Sequence, residues 1–172
     1  MDHTEATERL LDAAESLFYA HGVSAVGMDA IRAESGVSLK RLYQCFASKD
    51  DLVEAYLLRR DLRWRKSLAA FVAARGNDPL AVFDWLHDWF SEPGFRGCAF
   101  INSFGELGSP SPGIAAAIRL HKDEVRRYLH TLSADGDRIF VAMEGATVLA
   151  AITGDPGEAR VAKSLVSAAQ GS

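Results

Sequence analysis

Residues 28–46 read MDAIRAESGVSLKRLYQCF, and this stretch decides the fold. It contains two short helical patterns, Met28–Ser35 and Leu39–Phe46, joined by Ser35-Gly36-Val37-Ser38. Glycine lets the chain turn at the end of the first helix, and the apolar Val37 predicts a turn that is fixed to a core. Two short helices joined in this way are typical of a helix-turn-helix, whose second helix lies in the major groove of DNA.

The second of these helices carries polar side chains between its two predicted core residues, Leu42 and Phe46. Arginine and lysine bind guanine or phosphate, glutamine binds adenine, and a tyrosine hydroxyl binds phosphate. A plain helical hairpin needs the glycine and the apolar residues but has no need of such a polar set. We therefore predict that this helix contacts DNA through Lys40, Arg41, Tyr43 and Gln44.

The remainder of the chain also has helical apolar patterning, and no stretch alternates as a strand would. Ser48 and Asp51 have the spacing of a capping box at the start of a long helix that meets no glycine or proline before Gly76. The sequence predicts an all-α fold of about nine helices, at residues 7–20, 28–35, 39–46, 49–75, 79–91, 98–107, 114–132, 137–152 and 158–169.

Composition excludes several classes of protein. The 172 residues are 48% apolar and 24% charged, which is the balance of a globular chain. A polar, acidic N-terminus and the lack of a long uncharged apolar run argue against a signal peptide and a membrane span, so we expect a cytoplasmic protein without a membrane partner. The two cysteines and five histidines lack metal-ligand spacing, and no catalytic motif is present. We expect neither an enzyme nor a cofactor or metal.

The charge is unevenly distributed along the chain. The formal net charge is −4, yet residues 32–66 hold nine Lys or Arg and five Asp or Glu. A basic segment in an acidic chain suits a protein that places one end on phosphates. The alternative interpretation is a solvated charged helix face.

Longer motifs connect this chain to a known family. They are Gly22-Val23, Met28-Asp29-Ala30-Ile31, Ser35-Gly36-Val37-Ser38 and the run from Leu42 to Leu52, LYQCFASKDDL. Together they resemble the DNA-binding domain of TetR-type transcriptional regulators, over residues 4–64. The resemblance continues more weakly into Gly97–Asn102 and Glu144-Gly145-Ala146.

The resemblance implies a division into a DNA-binding domain at 4–64, with its helix-turn-helix at 27–46, and a ligand-binding and dimerisation domain at 65–172. It implies a homodimeric repressor that a small-molecule effector releases from a near-palindromic, double-stranded operator. Residues 38–44 would form the recognition helix, which includes Ser38 and Leu39, while Tyr43 and Lys49 would hold phosphates.

The chain departs from the family pattern at several positions. Leu39 stands where a basic residue is common, Lys40-Arg41 replaces a pair of small residues, and Val26-Gly27 replaces hydroxyl residues. Cys45 replaces a frequent histidine or aromatic residue. The alternative function is therefore a helical small-molecule-binding protein in which DNA binding is lost or weakened.

The C-terminal part offers residues for an effector and for a second copy. Aromatic pairs at i, i+4 share a helix face, although such pairs line a core more often than a pocket. The candidate effector contacts are Trp64, Trp85, Trp89, Phe100, Asn102, Phe104 and His121. Small and aliphatic residues on the last two helices would let two subunits approach closely, and the candidates are Gly145, Ala146, Leu149, Val161 and Leu165.

Cys98 has two interpretations. It follows Gly97 at a predicted helix start, near Arg96, where the helix dipole and a positive charge favour a thiolate. That placement suggests a redox thiol that senses oxidants or electrophiles. A small, partly buried apolar side chain is the commoner role of a free cysteine.

Overall fold

The computed structural model describes residues 2–170, and every regular element within that range is a helix. The predicted all-α class is therefore confirmed. The elements in chain order are α1 (His3–His21), α2 (Met28–Ser35), α3 (Leu39–Cys45), α4 (Lys49–Ala73), α5 (Ala81–Phe90), α6 (Ala99–Leu107), α7 (Pro112–Leu132), α8 (Gly136–Thr153) and α9 (Glu158–Gln170). None of these helices is both long and apolar enough to cross a bilayer.

Five helices (α1, α5, α6, α7 and α8) begin one to four residues away from the predicted position, and local contacts explain the starts of α1 and α5. Helix α1 begins four residues earlier because the Asp2 carboxylate accepts the backbone N–H of Glu5 at 2.8 Å and caps it. Helix α5 begins at Ala81, not Pro79. Asp78 Oδ1 accepts the N–H of Leu80 at 2.9 Å, which makes Pro79-Leu80 a turn that precedes the helix.

The chain forms two compact units, and these do not follow the order of the sequence. The first unit holds the chain up to Asp61 together with Ala99–Leu120, and the second holds Leu62–Cys98 and the chain from His121 onward. Helices α4 and α7 therefore each contribute to both units. The functional boundary between residues 64 and 65 stays a prediction.

The first unit buries the apolar faces of its N-terminal helices. Leu10 of α1, Ile31 of α2 and Leu42 of α3 are fully buried, and the Phe18 ring meets the Tyr56 ring of α4 edge to face at 5.6 Å. Val37 is buried as well, so the turn between α2 and α3 is fixed to the core as its sequence predicted. The core thereby determines which side of α3 faces outward.

Ion pairs hold α1 against α4. The Arg59 guanidinium lies 2.9–3.2 Å from carboxylate oxygens of Glu8, Asp12 and Glu15, and Arg60 lies 3.2 Å from Glu15. Arg59 and Arg60 are mostly buried while Glu8 and Asp12 are exposed. The stem of each arginine covers apolar surface and its head pairs at the rim.

The second unit is built around α5, whose only exposed residues are Asp84 and Asp88. Val82, Phe83 and Leu86 are buried, and α5 packs on both α8 and α9, which pack on each other. Outside this core, Lys163 of α9 donates to both carboxylate oxygens of Asp84 at 2.7 and 2.8 Å. Because seven of the ten residues of α5 are buried, this helix needs neighbours on several sides, and α8 and α9 supply them.

Candidate nucleic-acid interface

The turn before α3 sets the direction of that helix. Gly36 ends α2 with φ 66° and ψ 13°, the left-handed conformation that glycine adopts without strain. Two residues later Ser38 is the N-cap of α3, and its Oγ accepts the backbone N–H of Arg41 at 3.3 Å. The sequence predicted Ser38 as a DNA contact, and the structure gives its hydroxyl this capping role.

The outer side of α3 presents the residues that the sequence singled out. Leu39 and Tyr43 are 45% and 49% exposed, Lys40 and Gln44 are also exposed, and Arg41 is partly exposed. Leu42 lies between them and is fully buried. One helix therefore combines a buried anchor with an outward surface of cationic, amide and phenol groups, which are the groups that bind phosphates and base edges.

The start of α4 adds a further cation to this unit. Lys49 is the first residue of the helix, and the reciprocal capping box expected at 48–51 is confirmed. Asp51 N–H donates to Ser48 Oγ at 3.1 Å, and Ser48 N–H donates to Asp51 Oδ2 at 2.9 Å. Because the cap fixes the first turn, the position of Lys49 is well defined.

The basic excess of residues 32–66 does not form one free cationic surface. Arg59 and Arg60 pair with carboxylates of α1, and Arg65 lies 3.7 Å from Glu124. Sequence counting could not separate these structural cations from those on the outer surface, because their partners lie far away in the chain. Lys40 of α3 is exposed, and Lys49 at the start of α4 is partly exposed.

Four of the predicted effector residues meet in the second unit. The Trp64 ring lies edge to face with the rings of Trp85 at 4.8 Å, Trp89 at 5.7 Å and His121 at 5.2 Å. Trp85 Nε1 donates to Ser67 Oγ at 3.2 Å, which satisfies its buried N–H. We refer to Trp64, Trp85, Trp89 and His121 as the aromatic cluster.

The other three predicted effector residues belong to α6 in the first unit. Phe100 is buried, Phe104 is 57% exposed and Asn102 is exposed. Phe100 and Phe104 are one helical turn apart, yet one enters the core and the other points outward. The i, i+4 spacing indicated a shared face, but it could not show where the edge of the buried stripe falls.

Helices α8 and α9 leave a large apolar surface exposed. Its exposed members are Val141, Val148, Leu149 and Ile152 on α8 with Val161 and Leu165 on α9. Three of the predicted dimer residues, Leu149, Val161 and Leu165, belong to it, and Gly145 is also exposed. Ala146 instead lies in the core of its own unit.

Cys98 lies among charged neighbours in the second unit. Lys122 Nζ donates to Cys98 Sγ at 3.4 Å and to both oxygens of Glu144 at 2.7 and 2.8 Å. Burial raises the pKa of the Cys98 thiol, but a hydrogen bond with His121 and the Lys122 ammonium together lower it below the ordinary value. The pKa of Cys98 is therefore lowered by these side chains, and its role as a redox thiol stays a prediction.

Within residues 2–170, no group of three or more His, Cys, Asp or Glu side chains has the arrangement of a metal site. A contact that sequence patterns did not predict joins the α1–α2 turn to α6, where Ser24 N–H donates to Glu106 Oε2 at 3.0 Å. Its partners stand 82 residues apart, and neither belongs to a motif.

Comparison with known proteins agrees with this geometry. Residues 10–56 match the family model described as bacterial regulatory proteins, tetR family. An uncharacterized HTH-type transcriptional regulator from Mycobacterium tuberculosis is 35% identical over 68 residues, a match that spans 40% of this chain and 34% of the relative.

Solved structures extend the similarity to nearly the whole chain. A TetR-family transcriptional regulator from Streptomyces coelicolor is 31% identical with a TM-score of 0.82, covering 93% of this chain and 91% of that one. A TetR transcriptional regulator from Chloroflexus aurantiacus, at 24% identity and a TM-score of 0.79, shares the fold over 94% of this chain and 92% of its own. The chain therefore belongs to the TetR family of transcriptional regulators.

Proposed function

We propose that this regulator is a homodimeric repressor that binds a near-palindromic operator in the cytoplasm and is released from it by a small-molecule effector. The observation that carries the proposal is the outward surface of α3, where Lys40, Tyr43 and Gln44 surround a buried Leu42. A helix used only for packing would not need this exposed set. The proposal includes no catalytic activity and no cofactor.

The proposal assigns some residues to DNA phosphates and others to base edges. Lys49, at the capped start of α4, is assigned to a phosphate together with Tyr43. Arg41 and Gln44 are assigned to base edges, because their side chains match guanine and adenine. Ser38 and Leu39 complete the DNA-facing set, with Leu39 as an apolar contact.

Operator binding measured against salt concentration tests this division. Lys49→Ala should weaken binding to specific and random duplexes alike and reduce the salt slope by about one. Gln44→Ala should relax the preference at particular base pairs by roughly 1–3 kcal/mol. Lys66→Ala removes the same charge from an exposed position that the proposal assigns to no DNA contact, so it is the matched control. Equal effects of Lys49→Ala and Lys66→Ala would contradict the assignment.

The exposed apolar surface of α8 and α9 supports the homodimer. Leu149, Val161 and Leu165 lie on two helices that already pack against each other, so a second copy could bury both at once. Exposed apolar patches of this kind mark protein interfaces. A twofold dimer presents two recognition helices to half-sites about one helical turn apart, which is why we expect a near-palindrome.

The aromatic cluster supports an apolar effector. It contains all three tryptophans of the chain, so the intrinsic tryptophan fluorescence reports on this cluster alone. A compound that displaces operator DNA should change this emission over the same concentration range. Phe100, Asn102 and Phe104 stay predictions as further effector contacts.

The same titrations test the alternative, a small-molecule-binding protein with lost or weakened DNA binding. That alternative expects the tryptophan emission to respond to a compound while no duplex binds at low salt. Its motivating observation is Leu39, exposed at the first position of α3 where a cation is common in the family.

A further inference from the structure

The turn between α1 and α2 is hydrogen-bonded to the C-terminal end of α6. Ser24 N–H donates to Glu106 Oε2 at 3.0 Å, and Ser24 Oγ donates to the backbone carbonyl of Glu106 at 3.3 Å. The two residues are 82 positions apart and both belong to the first unit. One residue of α6 therefore receives two hydrogen bonds from one residue of the turn.

Gly22 forms the other side of this contact. Its φ is +90°, and a Cβ atom built on it would lie 2.7 Å from Glu106 Oε2. Any side chain at this position would displace the carboxylate or the turn. Glu106 thus lies against the backbone at Gly22 while it accepts the amide of Ser24, two residues along the same turn.

The contact is not needed to build the core. Ser24 and Glu106 are both exposed, whereas Val23 and Val26 anchor the turn by burying their side chains. A surface hydrogen bond adds little to global stability. What it restricts is the path of the backbone between the two valines.

That path leads directly into the helix-turn-helix. Helix α2 begins after Gly27, which offers no side-chain cap, whereas α3 and α4 each begin with a serine cap of their own. The start of α2 therefore depends more on how the preceding turn is held. Since α2 packs against α3, the held turn also helps to set the direction of the recognition helix.

We propose that Glu106 is a positioning residue for DNA binding, which holds the α1–α2 turn so that α2 and α3 present the DNA-binding surface. This inference rests on the proposed function. It assigns the positioning to the Glu106 carboxylate, because the hydrogen bond from Ser24 Oγ goes to a backbone carbonyl that every substitution of Glu106 retains.

Three substitutions of Glu106 in the full chain separate the effect of side-chain length from the effect of charge. Glu106→Gln retains the length and an acceptor oxygen but loses the charge, while Glu106→Asp retains the charge but is one methylene too short. Glu106→Ala loses both. We expect Gln to bind the operator duplex as wild type does, and Asp and Ala to bind roughly five- to tenfold more weakly.

If only the charge of residue 106 mattered, the variants would follow a different order of DNA affinity. Removing a negative charge favours DNA binding, so Gln and Ala would both bind more tightly and Asp would match wild type. Glu92→Ala removes a charge from an exposed glutamate in the loop after α5, and it measures this background effect. The order expected from charge, or no change in any variant, would overturn the positioning role.

The hydrogen exchange rate of the Ser24 amide, measured by NMR, reports on the contact between Ser24 and Glu106 in the absence of DNA. The Ser24 amide should exchange faster in the Ala and Asp variants and remain protected in the Gln variant, with melting temperatures within a few degrees of wild type. Weaker DNA binding with Ser24 still protected would overturn the inference. If the wild-type protein binds no duplex while its Ser24 amide is protected, the proposed function fails, and the role of Glu106 in DNA binding fails with it.

Discussion

Leu165→Ala should weaken the dimer by an amount that follows from the exposure of this leucine in the single chain. Full burial of a leucine side chain contributes about 1.5–3 kcal/mol. Leu165 is 66% exposed, so an interface that covers it gains roughly 1–2 kcal/mol from each copy. A twofold interface contains the residue twice, so the loss is roughly 2–4 kcal/mol, or about 30- to 1000-fold in the dimer Kd.

Sedimentation velocity over a concentration series measures that Kd directly. The matched control is Leu62→Ala, the same substitution at a leucine of α4 that is 64% exposed. If α8 and α9 form the interface, Leu62→Ala should leave the Kd unchanged. Leu165→Ala should also lower operator affinity at concentrations where the variant is monomeric, because a monomer engages one half-site.

Two results would refute this reasoning. One is an equal effect of the two substitutions on the dimer Kd, which would mean that α9 has no special place in the interface. The other is a wild-type protein that remains monomeric at micromolar concentration, which would remove the proposed operator geometry altogether.

Three further outcomes test individual interactions. Ser48→Ala should cost about 1 kcal/mol of unfolding free energy, or roughly 2–4 °C in Tm by calorimetry, because a helix cap is lost; an unchanged Tm would contradict the capping role. In a Cys45→Ser background, the rate at which iodoacetamide modifies Cys98 should be measured against pH. The pH midpoint of this rate should be lower in the folded protein than in the urea-unfolded protein, because the folded structure lowers the pKa of Cys98. An NMR titration should likewise place the Asp137 midpoint below its ordinary value of 3.8, since the hydrogen bond from Arg126 lowers its pKa; the midpoint should rise in Arg126→Ala.

Local signals in the sequence were sufficient for most of the fold. Helices α1, α2, α6 and α8 each end directly before a glycine, and the spacing of Ser48 and Asp51 was enough to predict the capping box. The start of α5 was predicted two residues too early because Pro79 at a first helical turn is a frequent arrangement. The side chain of Asp78 favours a separate turn there, and its geometry is not visible in a sequence.

The sequence predicted the site residues that lie on one helix better than it predicted contacts between different helices. The exposed face of α3 follows from the burial of Leu42 and Phe46, which periodicity indicates. The ion pairs of Arg59 and the contact of Glu106 join residues tens of positions apart, so spacing contains no information about them. Periodicity also could not show that Ala146 lies in the core while Gly145 beside it is exposed.

The first compact unit is assembled from two separate stretches of the chain, and this affects how regulators of this kind can be recombined. A chimera joined near Asp61 takes its DNA-binding helices from one parent and its α6 from the other. Residues 22 and 24 then face a foreign residue at position 106, and a side chain larger than glycine at 22 would collide with a glutamate there. Exchanging Ala99–Leu120 together with the N-terminal helices keeps the pair matched. We therefore expect the transferable DNA-binding module of this protein to be a discontinuous one.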